Sequence, residues 1–333
     1  MSFIKIIYIY RTTNQLRTVK KTLAIFLLLI SSSLSIYAQA RKTGDTILLA
    51  DPTIFAEKGV YYLYGTGSKD GFWVYRSTDL KNWTGPAGKR GGHALLKGDS
   101  YGTKGFWAPQ IFRYNNKYVM AYTADEHIAI AESDSPLGPF VQKNKVAVSG
   151  PGKQIDPFVF KDTDGKLYLY HVRLQNGNRI FVARINPKTW DIDESTAKEC
   201  LHAELPWENT ENAPWPVSEG PTVMKRGSLY YLFYSANDFH NIDYAVGYAT
   251  AASPLGPWKK AEDSPIISRK NTGANGTGHG DFFKDAQGNL HYVLHTHNTN
   301  SKVDPRKTAI VSVKFVGGKP VVDSKSFRFL QVK

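Results

Sequence analysis

A single cysteine, Cys200, stands in 333 residues. One cysteine excludes an intrachain disulfide, and its distance from the N-terminal region excludes a lipid anchor at a processing site. A chain without disulfides suits a bacterial periplasm or cell exterior better than a disulfide-rich eukaryotic matrix. Long apolar runs are missing too: Leu23–Ile30 falls far short of the roughly 20 residues a membrane span needs. Basic clusters are absent although the formal net charge is +13. The lysines and arginines are scattered, with no stripe and no recognisable module, which argues against nucleic acid as a partner. A basic solvated surface with weak attraction to acidic polysaccharide remains. No glycine-rich phosphate loop leads from a strand into a helix, and neither H-E-x-x-H nor Cys/His metal spacing occurs.

Aromatic residues (13%), 28 Gly and 17 Pro are present in force, with short alternating runs. They point to an all-β fold with a sizeable core. The first forty residues stand apart. Lys20-Lys21, the apolar run after them and Ala38-Gln39-Ala40 read as a secretory signal, residues 1–40, cleaved after Ala40. Removing its five basic residues leaves +8 on the mature chain. That chain is expected to be secreted or periplasmic, without a membrane span, and monomeric.

Five segments repeat one phrase: DPTIFAEKGVYYLYGT from Asp51, WAPQIFRYNNKYVMAYTA from Trp107, DPFVFKDTDGKLYLYHV from Asp156, EGPTVMKRGSLYYLFYSA from Glu219, and HGDFFKDAQGNLHYVLHTH from His279. Each begins with a polar or aromatic residue beside Gly, Ala or Pro. An apolar strand, a turn rich in Gly, Asn, Asp or Lys, and a Tyr-rich strand follow, which is a hairpin. Asp162 and Asp285 belong to turn chemistry. Behind each hairpin lies a second strand pair, closed by Trp83, Phe140, Trp190 and Trp258 in the first four units. Four strands in about 57 residues, five times over, predict a five-bladed β-propeller of four-stranded antiparallel blades spanning residues 41–333 as a single domain. A β-sandwich would not explain why a polar residue recurs where each unit's first strand begins.

In a propeller those first strands are innermost, so Asp51, Trp107, Asp156, Glu219 and His279 converge on one mouth. Asp51 and Asp156 directly precede proline, whereas Glu219 lies one residue further upstream, at a different depth. Three carboxylates in one funnel repel. Glycosidic cleavage gives them a use: one donates a proton, one activates water or attacks, and a third keeps the donor protonated. Trp107 suits the apolar face of a sugar ring. His291, His295 and His297 alternate along one strand and read as strand neighbours, so His279 is the one histidine considered for a metal site.

DPTIF, FWAPQIF, IDPFVFKDTDGKLYL and SEGPTV, in that order, resemble glycoside hydrolase family 43 through all five units. The Trp-Met-Asn-Asp-Pro opening of the related sucrose- and fructan-cleaving enzymes is not found. The resemblance implies an inverting mechanism with Asp51 as general base, Glu219 as general acid and Asp156 tuning and orienting the acid. It implies that His279 helps hold an axial ion, calcium in many members, with no cofactor required for the chemistry, and that Arg306 contacts the sugar. Its substrates would be arabinose- or xylose-containing polysaccharides or oligosaccharides. α-L-Arabinofuranosidase is the favoured activity, with β-xylosidase or endo-arabinanase as alternatives within the family. A sugar-binding propeller without catalysis is the alternative outside it.

Overall fold

Each recurring phrase folds as an antiparallel hairpin in the computed structural model, which describes residues 44–333. The expected signal segment, residues 1–40, lies outside the described residues. The inner strands are Ala50–Glu57, Trp107–Tyr114, Gln154–Lys161, Ser218–Arg226 and Gly278–Lys284. Their partners are Val60–Thr66, Lys117–Ala124, Leu167–Leu174, Leu229–Ala236 and Leu290–Thr296. Local chemistry sets the turns. Lys58-Gly59 and Asn115-Asn116 place two successive residues at positive φ, the backbone that matches hairpin twist. The Asp162 and Asp285 turns close with Gly165 and Gly288 N–H donating to the aspartate carbonyls. Asp162 also accepts from Tyr230 Oη (2.6 Å) and Lys225 Nζ (2.9 Å), so this turn ties the third blade to the fourth.

Five such sheets follow one another around an axis, and the protein is an all-β, five-bladed propeller. Blades three, four and five have four antiparallel strands in sequence order. In blades one and two the sheet has three strands, and the outer strand shrinks to a bridge, Arg76–Thr84 and Glu132–Val141 respectively. The only helix among the described residues is the turn Arg269–Thr272. No helix among them is long and apolar enough to cross a membrane.

Five hydrophobic clusters lie at the five interfaces between neighbouring blades. Each middle strand is therefore buried on both faces. In Leu167–Leu174, Tyr168, Tyr170 and Val172 pack toward blade four, while Leu167 and Leu169 pack toward blade two. This explains why the Tyr-rich strands read as nearly continuous apolar runs. The closing aromatics plug the same interfaces, with Trp83 and Phe140 fully buried. The ring closes where the segment before blade one joins blade five: Ile47 N–H donates to Leu330 O (2.9 Å) and Thr308 N–H to Ile47 O (3.0 Å).

Candidate active site

All five inner strands carry a bulge at the same point, and at each bulge one residue adopts positive φ: Asp51 (48°), Ala108 (44°), Asp156 (55°), Gly220 (58°) and His279 (39°). Four precede proline and the fifth precedes glycine. For a non-glycine residue this backbone costs on the order of 1–3 kcal/mol. A repeated hydrogen bond holds it. The residue opposite the bulge, on the second strand of one blade, accepts the bulge N–H of the next: Thr66 from Ala108 (3.0 Å), Thr123 from Asp156 (3.0 Å), Ser235 from His279 (2.7 Å) and His295 Nδ1 from Asp51 (3.1 Å). Blade three has Val172 at that place and no acceptor. There the N–H of Gly220 donates to Asp156 Oδ2 instead (3.2 Å). The bulges re-aim side chains out of the ladder and into the axis. Glu219, like Trp107, is the residue just before its bulge, which is the offset in depth expected from the sequence.

Asp51 is buried among nitrogen groups. Its Oδ1 lies 3.2 Å from Arg306 Nη1, 3.3 Å from His295 Nδ1 and 3.4 Å from His279 Nδ1, and its Oδ2 accepts from Thr66 Oγ1 (2.7 Å). Because Thr66 Oγ1 already accepts from Ala108, its proton is directed at Asp51. Burial alone would raise the pKa of this carboxyl; the Arg306 charge, with His279, outweighs it and holds Asp51 well below the usual range. Burial beside the same arginine keeps His295 neutral, its pKa lowered to about 3.

Glu219 and Asp156 sit in the opposite surroundings. Glu219 is half-buried and meets only neutral donors: Tyr244 Oη to Oε1 (2.7 Å) and Asn178 Nδ2 to Oε2 (2.9 Å). Burial raises its pKa to about 7; the two hydrogen bonds oppose this, and the negative charges of Asp51 and Asp238 add to it. Asp156 is pushed well above the usual carboxylate range by burial and then by the Glu219 and Asp51 charges, against the Gly220 N–H. The electrostatic tie between Asp156 and Glu219 therefore runs through this pair and its shared backbone step at Gly220.

One cleft with about 890 Å³ of free space gathers the six residues singled out in the sequence: Asp51, Trp107, Asp156, Glu219, His279 and Arg306 all line it. Trp107 is 38% exposed at the rim. The guanidinium of Arg306 stacks over Phe239 at 4.4 Å. Several further residues were not picked out from the sequence: Asn178, Trp215, Asp238, Phe239, Tyr244 and His295. His295 alone carried a signal, since it takes the place in phase of the repeated hydroxyls Thr66, Thr123 and Ser235. The three alternating histidines in fact do separate things: His291 meets Asp285 (3.0 Å), His295 meets Asp51, and His297 Nε2 donates to Phe239 O (2.8 Å). Gly98-Asp99-Ser100-Tyr101-Gly102 has the spacing of a nucleophile elbow. Yet Ser100 Oγ donates to Gln142 Oε1 (2.8 Å) and accepts from Tyr122 Oη (2.8 Å), with no base beside it.

Calcium asks for six to eight oxygen ligands. His279 offers a nitrogen, and the carboxylates beside it are engaged by Arg306, Thr66 and the Gly220 N–H. Among the described residues no group of three or more His, Cys, Asp or Glu stands ready to hold a metal ion. The side chains around His279 do not by themselves build a calcium cage.

The family model of the Glycosyl hydrolases family 43 matches residues 46–320. The crystal structure of an endo-1,4-β-xylanase from Bacteroides thetaiotaomicron VPI-5482 superposes with a TM-score of 0.81 at 37% identity, covering 86% of this chain and 98% of that one. A β-D-galactofuranosidase of Aspergillus niger is 25% identical, with 82% of each chain covered. An arabinoxylan arabinofuranohydrolase of Bacillus subtilis is 28% identical over 64% of this chain, which spans 49% of that relative's length.

Proposed function

The chain belongs to glycosyl hydrolase family 43, and from that premise we propose that it is an inverting glycosidase removing terminal α-L-arabinofuranosyl groups from plant polysaccharide. That it is a glycoside hydrolase follows from the family. The observation that carries the mechanism is the opposite setting of two carboxyls in one cleft: Asp51 lies against the Arg306 guanidinium, which favours its ionised form, while Glu219 is met only by the neutral donors Tyr244 and Asn178 and its pKa is raised to about 7. Between the two pKa values one group accepts a proton and the other donates one.

In a single displacement Asp51 takes a proton from water. The water oxygen forms its bond to the anomeric carbon, and the glycosidic C–O bond breaks toward the leaving oxygen. Glu219 delivers its proton to that oxygen. Asp156, fixed at Gly220 beside Glu219, titrates with it as one coupled pair in which a second ionisation is disfavoured, so the pair holds a proton for the leaving oxygen. Arg306, stacked on Phe239, reaches the sugar, and Trp107 and Trp215 offer it apolar faces. β-Xylosidic cleavage is the second reading, favoured by the 37% identity to a protein named as a xylanase. We further propose that the protein is secreted or periplasmic and acts as a monomer.

The test is a screen of nitrophenyl α-L-arabinofuranoside, nitrophenyl β-D-xyloside and linear arabinan, with the anomer of the first-formed product read by proton NMR. Turnover of the arabinofuranoside with inversion is expected. Exclusive turnover of the xyloside moves the sugar assignment, and retention of configuration overturns the single displacement.

A further inference from the structure

Trp215 stands 48% exposed on the wall of the cleft, in the loop leading to the inner strand of blade four. Its indole Nε1–H donates to Asn178 Oδ1 (2.9 Å), and Asn178 Nδ2 donates to Glu219 Oε2 (2.9 Å). An indole nitrogen can only donate, so the amide oxygen of Asn178 must face Trp215 and its NH₂ must face Glu219. The usual ambiguity of an asparagine amide is removed by chemistry. The backbone around the pair is also fixed. Asn178 N–H donates to Pro216 O (2.9 Å), Asn178 and Val217 form a parallel bridge, and Gly177 (φ 114°) lets the loop approach: a Cβ there would meet Pro216 O at 2.5 Å. Asn178 itself is 9% exposed.

We infer that Trp215 acts on the reaction in two ways: its ring face receives the sugar, and its N–H, through Asn178, orients the carboxyl of Glu219. Trp215 and Asn178 are thus positioning residues, and this inference rests on Glu219 being the acid. A donor fixed on Oε2 sets the plane of the carboxyl and, with Tyr244 on Oε1, restrains its rotation. Without the indole N–H the Asn178 amide is free to turn its oxygen toward Glu219, and the acid loses its aim at the leaving oxygen.

The experiment compares W215F, which keeps a ring and removes the donor, with N178A and the double variant. The probes are the phenyl and 2,4-dinitrophenyl α-L-arabinofuranosides and β-D-xylosides. A phenolate leaving group needs the acid and a dinitrophenolate does not, so for W215F kcat on the phenyl glycoside falls by about tenfold, with dinitrophenyl turnover within about twofold. KM stays within about threefold for W215F and rises for W215A, which also loses the ring. N178A reproduces the kcat defect, and W215F/N178A is no worse than N178A, because both variants break one chain of bonds. A W215F defect confined to KM, or losses in the double variant that multiply, overturns the inference. W215F alters an exposed side chain, so the result does not depend on N178A folding. E219Q separates the premises: if its own loss is equal on both leaving groups, the acid assignment fails; if it is selective and W215F is not, only the Trp215 link fails.

Discussion

The junction of blades five and one and the junction of blades three and four present the same backbone step to the same cleft, yet they treat a carboxyl in opposite ways. At the first, Asp51 faces a guanidinium and two imidazoles. At the second, Glu219 and Asp156 meet neutral donors, one backbone N–H and each other. Burial opposes charge in both places, and what differs is the sign of the company. A fold that repeats itself five times thus offers two carboxyls opposite surroundings at one bulge, with Asp51 on the left-handed step and Glu219 one residue before it.

Removing either member should show the difference most strongly. D51N is expected to lose about 10²–10⁴-fold in kcat on every glycoside, because water activation serves all of them. E219Q should match it on a phenyl glycoside and lose far less on a dinitrophenyl one; equal losses on both would erase the contrast between the junctions. Smaller, and aimed at the cationic side, is R306M. Without the guanidinium the pKa of Asp51 rises, so the acidic limb of kcat/KM moves to higher pH, with a loss on the order of 10-fold at neutral pH. An unmoved acidic limb would show that Arg306 serves the sugar alone.

D156N tests the acidic side. Removing the second carboxyl of the pair abolishes the repulsion that disfavours a double ionisation, so the alkaline limb moves to lower pH while the fold is retained. The two carboxyls titrate as a coupled set, and the limb belongs to both. If the limb stays, Asp156 only fastens Gly220. D238N should move the same limb the same way by a few tenths of a unit, because this carboxylate is half-exposed at the rim and screened by solvent. A D238N shift larger than that of D156N would place the main influence on Glu219 in the loop rather than in blade three.

Much of this was legible in the sequence because repetition converts position into geometry. Five phrases in phase implied five inner strands, and three acids at their starts implied one funnel. What stayed hidden came from outside the phrase. Asn178 opens a third strand, Trp215 and Tyr244 lie on loops, and no periodicity assigns a loop residue to an axis. The proline after Asp51, Asp156 and Gly220 was visible, but not that each precedes a left-handed step, since proline disfavours rather than dictates the backbone before it. His295 was legible only by aligning it with Thr66, Thr123 and Ser235, a comparison that one additional residue in the fifth unit conceals. The thin outer edges of blades one and two were equally obscure, because a single bridge leaves little pattern.

The left-handed ring also carries an evolutionary consequence. Asp51, Ala108, Asp156 and His279 occupy backbone that glycine would adopt without strain, as Gly220 already does. Replacing Ala108, Asp156 or His279 by glycine removes that strain, and at Asp156 it removes a buried carboxyl as well, whereas at Asp51 it would leave the buried Arg306 without its partner. Catalysis therefore persists here against a standing gradient in stability. A duplicated copy freed from selection for hydrolysis would drift downhill, shedding Asp156 first while Trp107 and Trp215 still lined the cleft. The expected fate of such a copy is a sturdier propeller that keeps its cleft and no longer cuts.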